Sequence, residues 1–123
     1  MKFDDSVPIY LQIKEEIENA IITSSLKEDE AIPSIRTLAQ QYRLNPQTIA
    51  NAVSELMNEG VIFKKRGIGM FVERGAQERL RKKKNLIFRN DELTKLVQKS
   101  KWLGISKQEL IETIELLYNE GGN

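Results

Sequence analysis

The segment from Ile32 to Val72 limits the fold of this chain more than any other, because two helix-start signals follow each other within it. Ser34 can cap a short helix with its hydroxyl. Asn45 followed by Pro46 marks a second start, since the asparagine side chain accepts from free amides and proline suits the first helical position. Gly60 stands where a left-handed residue would end that helix. The segment therefore predicts two short helices joined by a turn.

A basic hairpin is predicted immediately after the second helix. Val61–Lys65 and Met70–Arg74 are short strand-like runs separated by R-G-I-G at residues 66–69. The two glycines of this turn allow the positive φ that a tight hairpin needs. Two helices, a turn and a hairpin in this order are the layout of a winged helix-turn-helix. We therefore expect a mainly α fold with a small β-hairpin, and DNA is the first partner to consider.

Apolar residues recur at helical spacing in three N-terminal segments, which predicts one shared core. The core positions are Ile9, Ile13, Ile17, Ala20 and Ile21 in the first helix, Ile35, Leu38, Ala39 and Tyr42 in the second, and Ile49, Val53, Leu56 and Met57 in the third. The segment 23–31 shows no periodic apolar face and is predicted to be a loop.

Composition excludes several classes of function. Cysteine and histidine are both missing, so disulfides, thiolate metal sites and the commonest general base are excluded, and an enzyme is not expected. No cofactor or metal site is predicted. No apolar run is long enough to cross a bilayer, and the acidic start does not resemble a signal peptide. We expect a soluble cytoplasmic protein.

Charge is balanced overall, with 19 basic and 18 acidic residues, so binding of nucleic acid would depend on local placement of charge. The part before Ala76 holds 9 basic and 11 acidic residues, against 10 and 7 after it. Six basic side chains and no acidic one lie in residues 79–89. This run is either a second phosphate-binding surface or a solvated helix face. We predict a domain boundary here, with 1–75 as the DNA-binding domain and 76–123 as a helical region.

The C-terminal region predicts a long or interrupted helix that stops at Gly104, followed by a last helix. S-K-Q-E at residues 106–109 is a capping box, in which hydroxyl and carboxylate satisfy each other's backbone amides. Two amphipathic helices of this size bury little alone, so we expect a homodimer formed largely by this region, although its apolar face could instead fold back on the first helix. The expected dimer residues are Leu96, Trp102, Leu103, Leu110, Ile111, Ile114, Leu117 and Tyr118.

The polar side chains near the second helix start could read DNA. Gln47 can pair with adenine and Arg36 with guanine in bidentate fashion, while the free amides of a helix start favour phosphate. The basic hairpin is placed to meet phosphates, and its glycines permit close approach to a minor groove. The candidates are Ser34, Arg36, Asn45, Pro46, Gln47, Thr48, Asn51, Lys64, Lys65, Arg66, Gly67 and Gly69. Taken singly, each has a plainer interpretation: a helix cap, a solvated turn, or an arginine paired with a carboxylate.

Four motifs together resemble the GntR family of bacterial transcription regulators. They are P-I-Y-L-Q-I at residues 8–13, I-P-S-I-R-T-L-A at 32–39, L-N-P-Q-T-I at 44–49 and E-G-V-I-F-K-K-R-G-I-G-M-F-V at 59–72. The short helical remainder resembles the YtrA subfamily, whose members carry a small dimerisation region. The resemblance implies operator contacts at Arg36, Asn45, Pro46, Gln47, Thr48, Gly67 and Gly69.

The chain departs from the family pattern at two places. Glycines common on either side of the first loop are replaced around Ser25 and Asp29. In the hairpin, Ile68 replaces a common basic residue and Met70 a common threonine. The first change is expected to leave the fold intact, whereas the second affects how the hairpin would contact DNA.

The predicted function is a sequence-specific transcription regulator, a repressor, that binds a near-palindromic operator as a homodimer. The resemblance also leaves room for an unidentified small-molecule effector, although the C-terminal region is short for a roomy pocket. The alternative is a winged-helix adaptor that binds protein and not DNA, because the chain has little net charge.

Overall fold

The computed structural model describes residues 2–121 and divides the chain into two compact units, Met1–Lys82 and Lys83–Asn123. Six α-helices and three strands are present in the described residues, together with one π-helical turn. In chain order they are α1 (Ile9–Ile22), β1 (Ala31–Ile32), α2 (Ile35–Tyr42), α3 (Pro46–Asn58), β2 (Ile62–Lys65), β3 (Gly69–Val72), α4 (Ala76–Phe88), the π-helical turn (Arg89–Leu93), α5 (Thr94–Trp102) and α6 (Lys107–Glu120).

The N-terminal unit is a winged helix-turn-helix, as the sequence predicts. Helices α1, α2 and α3 bury their apolar faces together with the inner face of the sheet, and α4 contributes Ala76 and Leu80 to the same core. The largest fully buried side chains are Ile13, Ile21, Ile49, Val53, Leu56, Ile62 and Val72. Ile9, predicted to be in the core, is instead 41% exposed at the first turn of α1.

The sheet has three strands and not only the two of the predicted hairpin. β1 pairs antiparallel with β3, so that the strand order is β1-β3-β2 and Ile32 lies opposite Met70. The loop predicted for residues 23–31 therefore ends in a strand that closes the free edge of the wing. A two-residue strand is too short to show a period, and its pairing partner lies far along the sequence.

Two residues of that loop take the left-handed conformation without being glycine. Ser24 has φ 66° and Asp29 has φ 64°. Backbone amide Asp29 N donates to Val72 O at 2.8 Å, and the Asp29 carboxylate pairs with Arg74 at 2.9 Å. These contacts hold the loop against β3, and the prediction that the fold tolerates the loss of glycine here is confirmed.

Ion pairs attach α1 to the C-terminal part of α3. Lys14 Nζ lies 2.6 Å from Glu59 Oε2 and 3.2 Å from Glu55 Oε2. Burial alone would lower the pKa of Lys14, but the hydrogen bonds to Glu59 and Glu55 outweigh it and the pKa is raised. The pairs therefore add polar contacts to the apolar packing that α1 and α3 share.

The start of α4 is held by polar contacts within the N-terminal unit. Gln77 Nε2 donates to Ile22 O at the end of α1, and Arg81 donates to the same carbonyl. Arg79 donates to Gly60 O, just beyond α3. Two of the six cations of the basic run thus bond to carbonyls near helix ends, where positive charge is favoured.

The Glu28 carboxylate caps α4 by accepting a hydrogen bond from Gln77 N at 3.0 Å. Backbone hydrogen bonds from Gly75 and Gln77 hold the pKa of Glu28 below its ordinary value of 4.5. Because the folded-state pKa is the lower one, the stabilisation is present above the ordinary value and disappears as pH falls through the folded pKa.

Replacing Glu28 by glutamine is expected to lower the free energy of unfolding at neutral pH, because a neutral amide is a weaker acceptor for the two amides. The difference between Glu28→Gln and the wild type should shrink as the solution is taken to about pH 3. Urea unfolding at both pH values measures it, with Glu30→Gln, an exposed neighbour, as the matched control. A difference that does not change with pH would contradict the capping role.

The C-terminal unit continues the helical backbone of α4 through the π-helical turn into α5, so the predicted interrupted helix is confirmed. Gly104 has φ 74° and follows the end of α5. Ser106 Oγ then accepts from Glu109 N at 3.1 Å and caps α6. This is one half of the predicted capping box, because among the described residues the Glu109 carboxylate does not accept from Ser106 N. Within residues 2–121 no helix is long and apolar enough to cross a membrane.

Candidate nucleic-acid interface

The turn between α2 and α3 is set by side-chain caps and one left-handed residue. Ser34 Oγ accepts from Thr37 N at 3.1 Å and begins α2. Arg43 ends α2 with φ 55° and ψ 48°. Asn45 Oδ1 then accepts from Gln47 N at 2.8 Å and begins α3, with Pro46 in its first turn. Both caps are therefore confirmed, and Ser34 and Asn45 have structural roles in addition to any contact with DNA.

The outer face of α3 presents polar side chains to solvent. Pro46, Gln47 and Asn51 are exposed and Thr48 is half-buried, whereas Ile49 and Val53 on the opposite side are buried. Gln47 Nε2 donates to Asn51 Oδ1 at 3.0 Å. The two residues are one helical turn apart, and the bond holds their amide groups side by side near the start of the helix. Such paired planar groups have the chemistry that reads base edges.

A cleft of about 410 Å³ lies between the start of α2, the end of α3 and the wing. Arg36 and Lys64 line it, together with Ser34 and Gly69. These four predicted residues come from segments about 30 residues apart in sequence and meet around one concavity. Its apolar lining is formed by Ala31, Ile32, Ile35, Met57, Ile68 and Met70. The structure thus brings two cations together in one cleft between α2 and the wing.

The wing is a short hairpin with a tight tip. Ile68 N donates to Lys65 O at 3.0 Å, and Lys65 pairs with Gly69 across the strands. Gly67 has φ 77° and Gly69 has φ 145°, backbone conformations that side chains rarely adopt. An added Cβ would meet no atom within 4 Å at either glycine, so the backbone angle and not space requires glycine here.

The two lysines of β2 lie on opposite faces of the sheet. Lys64 lines the cleft, whereas Lys65 Nζ lies 5.0 Å from the centre of the Phe71 ring and 5.9 Å from that of Phe63. The two rings stack with centroids 5.5 Å apart. The sequence predicts a phosphate contact for both lysines, and Phe63 and Phe71 are not among the predicted residues. The alternation of side chains along a strand is the signal that separates them.

The side chains predicted for dimerisation form an exposed apolar surface on the C-terminal unit. Trp102 is 75% exposed and Tyr118 76%, and Leu103, Leu117 and Leu96 are also exposed. Ile111 and Ile114 are each 38% exposed, and Leu110 is half-buried. Among the described residues of this unit only Ser100 is classed as buried. The unit therefore leaves most of its large apolar side chains in contact with solvent.

Part of that surface is concave. A cleft of about 340 Å³ lies between α5 and α6, lined by Val97, Ser100, Lys101, Ile105, Lys107, Leu110, Ile111 and Ile114. This volume is at the low end for small-molecule sites.

The chain is similar in sequence to known transcription regulators. Residues 9–72 match the family model described as bacterial regulatory proteins, gntR family. The chain is 35% identical over 123 residues to the uncharacterized HTH-type transcriptional regulator YhcF of Bacillus subtilis, covering 98% of each protein. It is 30% identical to the HTH-type transcriptional repressor YtrA of Bacillus subtilis, covering 89% of this chain and 84% of that one. These relatives are transcription regulators, not enzymes.

Among solved structures, AraR(DBD) in complex with operator ORE1 superimposes with a TM-score of 0.53 at 32% identity. The match covers 58% of this chain and 89% of that one. The family model confirms the resemblance to GntR regulators, and the sequence relative confirms the resemblance to YtrA. This chain belongs to the GntR family of bacterial transcription regulators.

Proposed function

We propose that this protein is a homodimeric, sequence-specific repressor that binds a near-palindromic operator in the cytoplasm. The observation that carries the proposal is a helix-turn-helix whose α3 begins with exposed polar side chains, accompanied by a cleft between α2 and the wing that Arg36 and Lys64 both line. A neighbour of the same fold, AraR(DBD), has been crystallised with an operator.

Base readout is assigned to Arg36 and Gln47. A guanidinium group can donate two bonds to guanine O6 and N7, and a primary amide can pair with adenine N6 and N7. Both side chains are exposed, and Asn51 orients the Gln47 amide through the 3.0 Å hydrogen bond. The major groove admits a helix of the size of α3. Thr48 and Asn51 are assigned to phosphate or base contacts beside them.

Phosphate contacts are assigned to the wing and to the helix start. Lys64, Lys65 and Arg66 are exposed and consecutive. Ser34 begins α2, and Asn45 and Pro46 begin α3, and the free amides of a helix start favour phosphate. Gly67 and Gly69 keep the hairpin tip slim enough for close approach to the backbone. Such contacts orient the protein without reading sequence.

Dimerisation is assigned to the C-terminal region, residues 76–123. An apolar surface of this extent on a small helical unit is typical of an interface, because monomers rarely expose large contiguous apolar patches. A second copy of the chain carries the same surface and can cover it in a two-fold arrangement. Two recognition helices would then meet two half-sites about one helical turn or a multiple apart.

A mobility shift at two salt concentrations tests DNA binding. The full-length protein should retard DNA from upstream of its own gene at low salt and bind it more weakly at higher salt, because phosphate contacts release counterions. No retardation at low salt would contradict the proposal and would favour the protein-binding adaptor.

Replacing Lys64 by alanine is expected to weaken binding to all sequences and to lower the slope of log affinity against log salt by about 1, because one phosphate contact is lost. Lys65→Ala removes the same charge from the adjacent position. Its effect should be smaller, since the Lys65 ammonium is placed over the Phe71 ring on the other face of the sheet. Titrations of random-sequence duplex over a range of salt measure both slopes. A slope unchanged by Lys64→Ala would exclude this contact.

A further inference from the structure

The wing carries an apolar side chain at its tip, within a surface otherwise rich in cations. Ile68 is 73% exposed. The other large apolar side chains classed as exposed in the described part of the N-terminal unit are Val7 at 38% and Ile9 at 41%. Covering an isoleucine removes apolar surface from water and lowers the free energy, so a ligand that covers Ile68 binds more tightly for that contact.

The position of Ile68 is defined by the hairpin. Its backbone amide closes the turn onto Lys65 O at 3.0 Å, between the two glycines of positive φ. Ile68 also lines the same cleft as Arg36 and Lys64. A ligand that reaches these two cations therefore also reaches Ile68.

Charge identifies the class of ligand. Lys64, Lys65 and Arg66 precede the tip, and Arg36 lies across the cleft. Arg36 and Lys64 in the cleft and Arg66 next to the tip suit a polyanion, and a wing beside a recognition helix reaches the adjacent minor groove of the same DNA. Since Arg36 is assigned to the major groove, the DNA surface left for Ile68 at the wing tip is the minor groove on the other side of the backbone.

An isoleucine cannot accept a hydrogen bond, and this determines which base pairs it tolerates. In the minor groove a G·C pair presents the guanine N2 amino donor, whereas A·T pairs present only acceptors. A covered amino group without an acceptor loses its bond to water at a cost in free energy. We propose that Ile68 makes the wing selective for A·T pairs in the minor groove beside each half-site. This inference rests on the proposed operator binding.

Base analogues test the inference on the full-length protein. The probe is the duplex that the protein enriches from random DNA, with each flanking A·T pair replaced in turn by G·C, inosine·C or diaminopurine·T. Inosine·C lacks the minor-groove amino group, and diaminopurine·T adds it to an otherwise A·T-like pair. We expect G·C and diaminopurine·T at the wing position to weaken binding about five- to tenfold, and inosine·C to bind like A·T.

Ile68→Ala should remove most of this discrimination, because the smaller side chain leaves room for a water on the amino group. Ile9→Ala is the matched control, since it shortens an exposed isoleucine of the same unit away from the wing, and it should keep the full discrimination. Equal discrimination by Ile68→Ala and wild type would overturn the inference alone, as would equal binding to all four base pairs. Failure of the wild-type protein to enrich any duplex would overturn the proposed function and this inference with it.

Discussion

Leu117→Lys is expected to convert the protein to a monomer and to lower its affinity for an operator with two half-sites by about a hundredfold or more, because the two recognition helices would no longer bind as one unit. Leu117 is 61% exposed on α6, so a lysine there disturbs no contact that the C-terminal unit needs for its own fold. In a two-fold dimer, the lysine of each copy would bury its charge against the apolar surface of the other copy.

Sedimentation equilibrium measures the mass, and titration of a two-half-site duplex and of a single half-site measures the affinities. Gln108→Lys adds the same charge to an exposed polar position of α6, and it should change neither the mass nor the affinity. The single half-site should be bound about equally by wild type and Leu117→Lys. A dimer of unchanged mass for Leu117→Lys would contradict the assignment of this surface.

Arg36→Ala is expected to cost about 1 to 3 kcal/mol at the operator and much less at random DNA, because a bidentate contact to guanine carries sequence information that phosphate contacts do not. The comparison needs both duplexes at one salt concentration. The difference between the loss of affinity at the operator and the loss at random DNA measures how much Arg36 contributes to base readout.

Arg74→Ala is the matched control for this arginine. Arg74 is exposed and pairs with Asp29 at 2.9 Å, so it removes an equal charge from the N-terminal unit outside the cleft. It should lower the affinity for both duplexes by a similar and smaller factor. Equal losses on the two duplexes for Arg36→Ala would show that Arg36 contacts phosphate and does not read a base.

Most of the winged helix-turn-helix could be predicted because its signals are local. Ser34, Asn45 and Ser106 each cap the helix that their positions predict, since a cap needs only a side chain and an amide two or three residues away. The outer face of α3 follows in the same way from helical periodicity. Glycine at 67 and 69 indicates the hairpin for an equally local reason.

The features that were missed depend on contacts between distant segments. β1 pairs with β3 across nearly forty residues of sequence, and a strand of two residues is too short to be predicted from a sequence pattern. Arg79 and Arg81 read as part of a uniform basic run, although each bonds to a carbonyl of another helix end or loop. The cleft that joins Arg36 to Lys64 exists only once α2 and the wing have packed on the common core.

In the candidate site, too, local features could be predicted from the sequence and contacts between side chains could not. The order of residues at the start of α3 predicts which side chains are near one another, but not the hydrogen bond that aligns Gln47 with Asn51. The different surroundings of Lys64 and Lys65 could be predicted only with knowledge of the register of the hairpin. The proposed role of Ile68 could be inferred only from the structure, which shows that this side chain is more exposed than the other large apolar side chains of the N-terminal unit.

Selection of bound fragments from random DNA by the purified full-length protein is the most direct test of sequence-specific, dimeric binding. The account predicts that the enriched fragments share an inverted repeat whose half-site centres are separated by about one helical turn or a multiple of it. Fragments that share no sequence, or a single unrepeated motif bound by a monomer, would contradict it.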